Sequence, residues 1–329
     1  MQDNRPIDMQ ALRIFLTTAE EGKMSHAATR LGISQSAVSQ SIRMLEDSFG
    51  TPLFNRAERP LTLTAAGAAL FNRGRLLMEE ALNLRGKVIE AARGIKPSLR
   101  IGLVDSFAAT CGTGVVRKLL KSTAQLSVRS GLSPNLGEAF SKRELDLIIT
   151  SRALDVEGLA SHTLMTEKFF VITPENVSAC RSVADIPALS RALPIVRFNQ
   201  QSHLGEQVDS ALRRLGLNPA RHLEVETADT LTAMVAGGLG WAVTTPLCLL
   251  QGARSAPATR LNFISDLNVE RKLSLHFREG EYGSLGQETF DIVTDLLEHQ
   301  TKAELRAIDP TLCNLIEIHP WSEDVRHSH

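Results

Sequence analysis

Between Ser34 and Arg43 the chain reads Ser-Gln-Ser-Ala-Val-Ser-Gln-Ser-Ile-Arg. At about 100° per residue, Val38, Ile42, Leu45 and Phe49 share one side of a helix. Ser36, Ser39, Gln40 and Arg43 fall on the other side, with Gln35 at the start. Ordinary solvated helix faces favour Lys and Glu, but this one carries hydroxyls, amides and a guanidinium. That set suits the edges of nucleic-acid bases. Glutamine can pair twice with adenine and arginine twice with guanine, while short hydroxyls let the helix approach phosphates. The acids of this segment, Glu46 and Asp47, come only near its far end. A helix that reads a major groove uses its N-terminal half.

Such a helix needs a scaffold, and the flanking residues spell one out. Ser25 is a suitable N-cap for a short helix over 26–31, Gly32 ends it in the left-handed conformation, and Ser34 caps the reading helix. The pattern is helix, tight turn, helix. Residues 52–63 then offer two short apolar strands around a turn, a wing with Arg56 and Arg59 at its tip to grip phosphate or enter the minor groove. A plain solvated hairpin is the alternative. Thr64 caps a long helix over 64–93. Leu70, Leu77, Leu84 and Ala91 recur every seven residues, with Gly74, Ala81 and Val88 between them. This is an a/d seam for a second copy of the chain, carried by Leu70, Leu77, Ala81, Leu84 and Val88. Packing on its own domain is the alternative. At ~1.5 Å per residue the helix spans about 43 Å and would hold two reading helices apart. Residues 94–98 (Gly-Ile-Lys-Pro-Ser) form a hinge, with Pro97 preventing the helix from resuming.

Beyond the hinge, strands alternate with helices. One unit has strands at 99–104, 125–130 and 145–150, with helices at 108–121 and 136–143. A second has strands at 193–198, 222–226 and 240–245, with helices at 204–215 and 230–236. A strand at 270–277 and a helix at 285–299 close the domain. Crossover helices imply mostly parallel sheets. The fold class is thus a multidomain α/β protein. Its parts are a winged helix-turn-helix (1–63), a linker helix (64–93), a hinge (94–98), a two-subdomain sensing domain (99–300) and a tail (301–329). The subdomains are expected at about 99–172 with 261–300, and at about 173–260. Open α/β sheets bind ligands at the carboxyl ends of their strands. There the sequence places Asp105, Ser106 and Phe107; Leu132 and Ser133; Ser151 and Arg152; Arg197, Phe198, Gln200, Gln201 and Ser202; and Thr227 and Thr245. Hydroxyls, amides and two arginines suggest a small organic anion as effector, with Arg152 and Arg197 as surface or salt-bridge residues in the alternative.

Composition narrows the class. The 329 residues carry a net charge of −1, so DNA affinity must be local and reinforced by dimerisation. No apolar run reaches the ~20 residues of a membrane span, and the polar start lacks a secretory signal, which points to the cytoplasm. Cys111, Cys180, Cys248 and Cys313 are too far apart for a CxxC motif and read as reduced thiols; a redox-switching pair is the alternative. No nucleophile elbow, zinc helix or P-loop occurs, so no enzyme, metal or cofactor is expected. Gly112-Thr113-Gly114 and Gly238-Leu239-Gly240 read as turns or helix contacts. Glu144 and Asp146 lack a catalytic partner pattern. The tail's His319, His327 and His329 read as part of a poorly ordered end.

The residues resemble the LysR-type transcriptional regulators. The likeness lies in Ala27-Ala28-Thr29-Arg30-Leu31, Ile33-Ser34-Gln35-Ser36-Ala37-Val38-Ser39, Ile42 and Leu45-Glu46, then Leu53-Phe54-Asn55-Arg56 and Leu63-Thr64-Ala65-Ala66-Gly67. It is most specific over about 9–67. It implies that Gln35, Ser36, Ser39, Gln40 and Arg43 face the major groove, and that Arg30, Arg56 and Arg59 meet backbone or minor groove. Ser25 and Ser34 complete the DNA-contacting set. It also implies a periplasmic-binding-protein-like effector domain, homodimers through the linker helix and homotetramers through the effector domains. Double-stranded promoter DNA and a small effector are the expected partners, with RNA polymerase a further candidate. Gln40 stands where the family often has Arg, and Thr62 where a basic residue is common; both weaken nonspecific phosphate attraction.

Overall fold

The computed structural model describes residues 7–56, 58, 60–92, 96–154, 156, 158–217 and 221–322; within the helices and strands, the side chains at 79, 80, 82, 83, 85–92, 221, 222 and 265 are not described. Residues up to Ile95 and from Lys96 onward form two separate compact units.

The first unit contains α1 (Met9–Glu21), α2 (Met24–Leu31), α3 (Gln35–Phe49), β1 (Phe54–Asn55), β2 (Thr62–Leu63) and α4 (Ala65–Ala92). Leu12 and Phe15 of α1, Ala28 of α2, and Val38, Ile42 and Leu45 of α3 close over Leu53 and Phe54 of the wing. The Phe15 and Phe54 rings lie 5.3 Å apart. Gly32 ends α2 at φ +67°, where a side chain would be strained. Ser34 caps α3, its Oγ accepting from Ala37 N at 3.2 Å. Ser25 does not cap α2. The N-cap is Lys23, without a side-chain bond, and Ser25 falls inside the first turn, where its carbonyl accepts from Thr29 Oγ1. The helix gains a turn residue because Met24 and Ala28 pack against the same core. Phe49, expected on the buried side, is 43% exposed at the helix end.

The long helix serves two purposes along its length. Leu70, Phe71 and Met78 pack on the core of their own unit, and a Cβ on Gly74 would stand 2.7 Å from Leu12. Gly74 therefore admits α1 rather than a partner helix, and Leu70 is half-buried within its own chain. Farther along, Leu77 is 45% and Leu84 59% exposed, with Ala81 exposed between them. Val88 lies outside the described side chains, and Gly94 and Ile95 of the hinge lie outside the described residues.

The second unit begins with β3 (Ser98–Val104), α5 (Asp105–Thr110), α6 (Gly112–Leu119), β4 (Gln125–Gly131), α7 (Ser133–Ser141), β5 (Leu147–Thr150), β6 (Leu159–Lys168) and β7 (Phe170–Pro174). It continues through α8 (Ile186–Ala192), β8 (Ile195–Phe198), α9 (His203–Arg214), β9 (Arg221–Val225), α10 (Ala228–Ala236), β10 (Ala242–Thr244), α11 (Pro246–Gln251) and β11 (Thr259–Asn262). β12 (Glu270–Arg278), α12 (Glu279–Leu296), α13 (Lys302–Ile308) and β13 (Ile316–Ile318) complete it. A six-stranded sheet runs β13-β6-β12-β5-β3-β4; the other strands form β10-β7-β11 and the parallel pair β8-β9. A single parallel bridge, Ile195 to Trp241, ties those two together.

The expectation of mostly parallel sheets needs correction. β3, β4 and β5 are parallel, but β12, β6 and β13 join antiparallel, as do β10, β7 and β11. The strands β6, β7 and β11 were not foreseen. The chain crosses between the sheets twice, at Phe169 and between Asn262 and Glu270. Those crossings require long strands without helices between them, so no crossover pattern marks them in the sequence. The reading of 301–329 as a loose tail also changes. Leu305, Leu312 and Ile316 are buried in the main core, and β13 pairs with the edge of β6. His319 Nε2 meets Thr166 Oγ1 at 2.8 Å, and Trp321 stacks on His162 with ring centroids 3.6 Å apart. These elements are too short to show periodicity, and the sheet edge holds them. His327 and His329 lie outside the described residues.

Candidate functional site

In the first unit, Gln35, Ser36, Gln40 and Arg43 are exposed on α3, and Ser39 is half-buried. Val38 and Ile42 on the opposite side are fully buried. Ser34 and Ser36 hydroxyls are 2.8 Å apart, so the cap and the first reading residue are held together. Two of the three arginines read as backbone or minor-groove contacts are engaged within the chain. Arg30 Nη1 donates to Glu20 and Glu21 at 3.0 and 2.9 Å, and these carboxylates raise its pKa. Arg56 Nη2 pairs with Glu46 at 2.5 Å. Each remains more than half exposed, so a phosphate would have to compete with a nearby carboxylate for it. Arg59 lies outside the described residues.

Glu46 is the residue the sequence reading passed over here. It is buried on α3, and its other oxygen accepts from Leu53 N at 2.9 Å. One carboxylate thus fastens the wing to the reading helix. Its place in the i, i+4 row of Val38 and Ile42 is the signal that could have exposed it.

In the second unit, one small cavity collects eight of the expected effector residues: Asp105, Ser106, Leu132, Ser133, Ser151, Phe198, Ser202 and Thr227. They come from loops after β3, β4, β5, β8 and β9, at the carboxyl ends of strands in both sheets. Ser202 caps α9 through Gly205 N at 2.9 Å. α7 and α10 begin at the cavity with no side-chain cap on their first amides. Ser133 and Ser151 are hydrogen-bonded to each other at 3.1 Å.

Six expected residues are placed elsewhere. Phe107 is fully buried core. Arg197 is buried and paired with Asp209 at 2.5 Å, and Gln200 Nε2 donates to the same carboxylate at 2.5 Å. Burial makes that partner obligatory, which removes Arg197 as a free anion ligand. Arg152 is exposed and Gln201 is exposed; neither lines the cavity. Thr245 is buried and caps α11 through Cys248 N.

The floor of the cavity is Arg271, which no strand-end reading selected. It lies on β12 directly across from Glu167 on β6. Both are almost wholly buried, at 2% and 0% exposure. Arg271 Nη1 donates to Glu167 Oε1 and to Ser106 Oγ, each at 3.0 Å, and Glu167 Oε2 accepts from Leu247 N at 3.1 Å. Arg271 keeps the inward phase of Leu273 and Leu275. A cation in phase with core residues was the available signal. His203, Glu226, Cys248 and Gln251 also line the cavity. Burial holds the His203 imidazole below its usual pKa, helped by Arg271 and Arg152 and opposed by Glu206. Burial likewise pushes the Asp105 carboxyl up, against a hydrogen bond with Ser130.

The cavity measures about 40 Å³, room for roughly three waters. That space is too small for an organic molecule, so a ligand of that size requires the lining residues to move apart. Roomier depressions occur at Gln207–Arg214 with Asn268–Glu270 (about 440 Å³) and at Lys168–Phe170 with Phe263 and Leu315 (about 300 Å³). Neither is lined by any of the expected effector residues.

Two family descriptions match. "Bacterial regulatory helix-turn-helix protein, lysR family" covers residues 9–68, and "LysR substrate binding domain" covers 92–290. The transcriptional regulator XapR of Escherichia coli is 30% identical over 71% of this chain and 80% of its own length. The regulator CzcR of Bacillus anthracis is 29% identical over 71% of this chain and 78% of its own. Among solved structures, an OxyR variant of Corynebacterium glutamicum superimposes with a TM-score of 0.56 at 21% identity, covering 93% of this chain and 97% of that one.

Proposed function

Because this chain belongs to the LysR family of bacterial transcriptional regulators, which bind DNA and are not enzymes, we propose that it reads a promoter sequence through α3 under the control of a small effector held in the cleft of the second unit. The exposed row Gln35, Ser36, Gln40 and Arg43, backed by the buried Val38 and Ile42, carries this reading. Two copies would join through Leu77, Ala81 and Leu84 of α4. Paired effector domains would build a tetramer, in the cytoplasm, with RNA polymerase as a further partner. Among the described residues no helix is long and apolar enough to cross a membrane.

Control would follow from differential affinity. An effector that binds one arrangement of the two subdomains better than the other shifts their population, and with it the spacing of the reading helices and the DNA bend. The organic-anion expectation drew on hydroxyls and amides together with Arg152 and Arg197. With Arg197 committed to Asp209 and Arg152 outside the cavity, it loses its two cations. Redox control has less support than effector control. Burial pushes the Cys111, Cys180 and Cys248 thiols up, whereas a sensor thiol needs a lowered pKa.

The test is fluorescence anisotropy with the protein's own promoter fragment at low ionic strength, followed by single-base changes. Arg43→Ala should relax selectivity at one base position by about 1–3 kcal/mol. Uniform weakening across all sequences would make Arg43 a phosphate contact, and no binding at all would sink the reading.

A further inference from the structure

We infer that the effector is a hydrogen-bond-donor-rich molecule with no net negative charge (a polyol, nucleoside or amine) rather than a carboxylate or phosphate; this rests on the cleft being the effector site. The argument is a charge count over the cavity wall. Asp105 and Glu226 line it as carboxylates, and Arg271 is the one Lys or Arg among its lining residues. Arg271 is already neutralised by Glu167, which is fully buried and has no other cation on it among the described residues. The flanking charges also offset. Arg152 disfavours a charged His203, and Glu206, 3.7 Å from its Nδ1, favours one. The imidazole itself is held toward its neutral form by burial.

Backbone dipoles do not reverse the balance. α9 is capped by Ser202, which leaves α7 and α10 as the uncapped helices of eight residues or more that begin at the cavity. Each contributes about half a positive charge, so together about one, against two acidic side chains. An anion would meet no uncommitted Lys or Arg among the cavity's lining residues. A donor-rich neutral or cationic molecule instead satisfies what the wall offers. The carboxylates of Asp105 and Glu226 and the hydroxyls of Ser133, Ser151 and Thr227 accept its hydrogens. One buried donor, Arg271 Nε, has no hydrogen-bond partner among the described residues. A hydroxyl or carbonyl oxygen meets it without bringing a charge.

Thermal unfolding of the full chain, followed by tryptophan fluorescence, tests this. Both tryptophans, Trp241 and Trp321, lie in the second unit, so the signal reports on it alone. The probes are ribitol, adenosine and putrescine on one side and benzoate, citrate and glucose 6-phosphate on the other, all at one millimolar concentration. At least one of the first three should raise the melting temperature, and which one does so distinguishes polyol, nucleoside and amine. Its apparent affinity should fall about tenfold or more in Glu226→Gln, an exposed position that leaves the fold intact. The response should vanish in Ser151→Phe, which fills the cavity. Silence from all three overturns the inference. Stabilisation by an anion that is lost in Ser151→Phe also overturns it while leaving the cleft as effector site. A donor-rich probe that stabilises wild type and Ser151→Phe alike removes both the cleft reading and the inference built on it.

Discussion

Replacing Arg271 with methionine leaves the Glu167 carboxylate at zero exposure with Leu247 N as its remaining hydrogen-bond donor among the described residues. Methionine keeps much of the side-chain volume, so the cost is electrostatic rather than a cavity. Breaking a buried ion pair by removing one partner costs about 3–5 kcal/mol, because an uncompensated charge stays in a low-dielectric site. In a unit of this size each kcal/mol lowers the melting temperature by about 2–4 °C, so the variant should melt about 6–20 °C lower. The double variant Arg271→Met with Glu167→Gln removes the stranded charge and should recover much of the loss. Urea unfolding by tryptophan fluorescence reads both changes in the second unit. A loss under about 1 kcal/mol in the single variant, or a double variant no better than the single one, would refute the claim that these two residues are one neutral pair.

Three further outcomes follow from particular contacts. Gly67→Ala places a Cβ 2.1 Å from the Leu53 carbonyl, a backbone atom that cannot yield. Wing and α4 should separate, with DNA affinity lost by anisotropy while the second unit's melting is unchanged. Leu77→Asp with Leu84→Asp changes two exposed positions of α4 and should leave the first unit folded. Sedimentation should then show loss of the dimer and a large drop in DNA affinity; an unchanged footprint would refute the seam. Burial lowers the pKa of His162, which stacks with Trp321, against opposing effects of the Ser322 backbone and Glu279. The native state then resists protonation that the unfolded chain accepts near pH ~6.5, so stability is full above that value and falls as pH drops below it. His162→Phe should flatten this slope in urea titrations. It should not abolish it, because His203 is lowered in the same sense.

Much of the reading module was legible from local signals. Gly32 and Ser34 act within a few residues of themselves, and the 3.6-residue repeat of Val38, Ile42 and Leu45 needs no distant partner to be recognised. The strand ends of the cleft were legible for a similar reason: an α/β chain places its loops predictably, and eight expected residues meet there. Other positions depend on partners far along the chain. Arg197 looked available until Asp209 closed on it, and Arg30 and Arg56 until Glu20, Glu21 and Glu46 did. Whether a cation is free is a question about space, which composition does not answer.

The chain by itself therefore determined which segments fold into a helix-turn-helix and alternating strands and helices, because hydrophobic periodicity and caps are local. Tertiary structure alone decided that Arg271 and Glu167 face each other across β12 and β6, more than a hundred residues apart. It also decided that residues 316–318 would close a sheet edge, which three residues cannot do without the neighbouring strand to supply their hydrogen bonds.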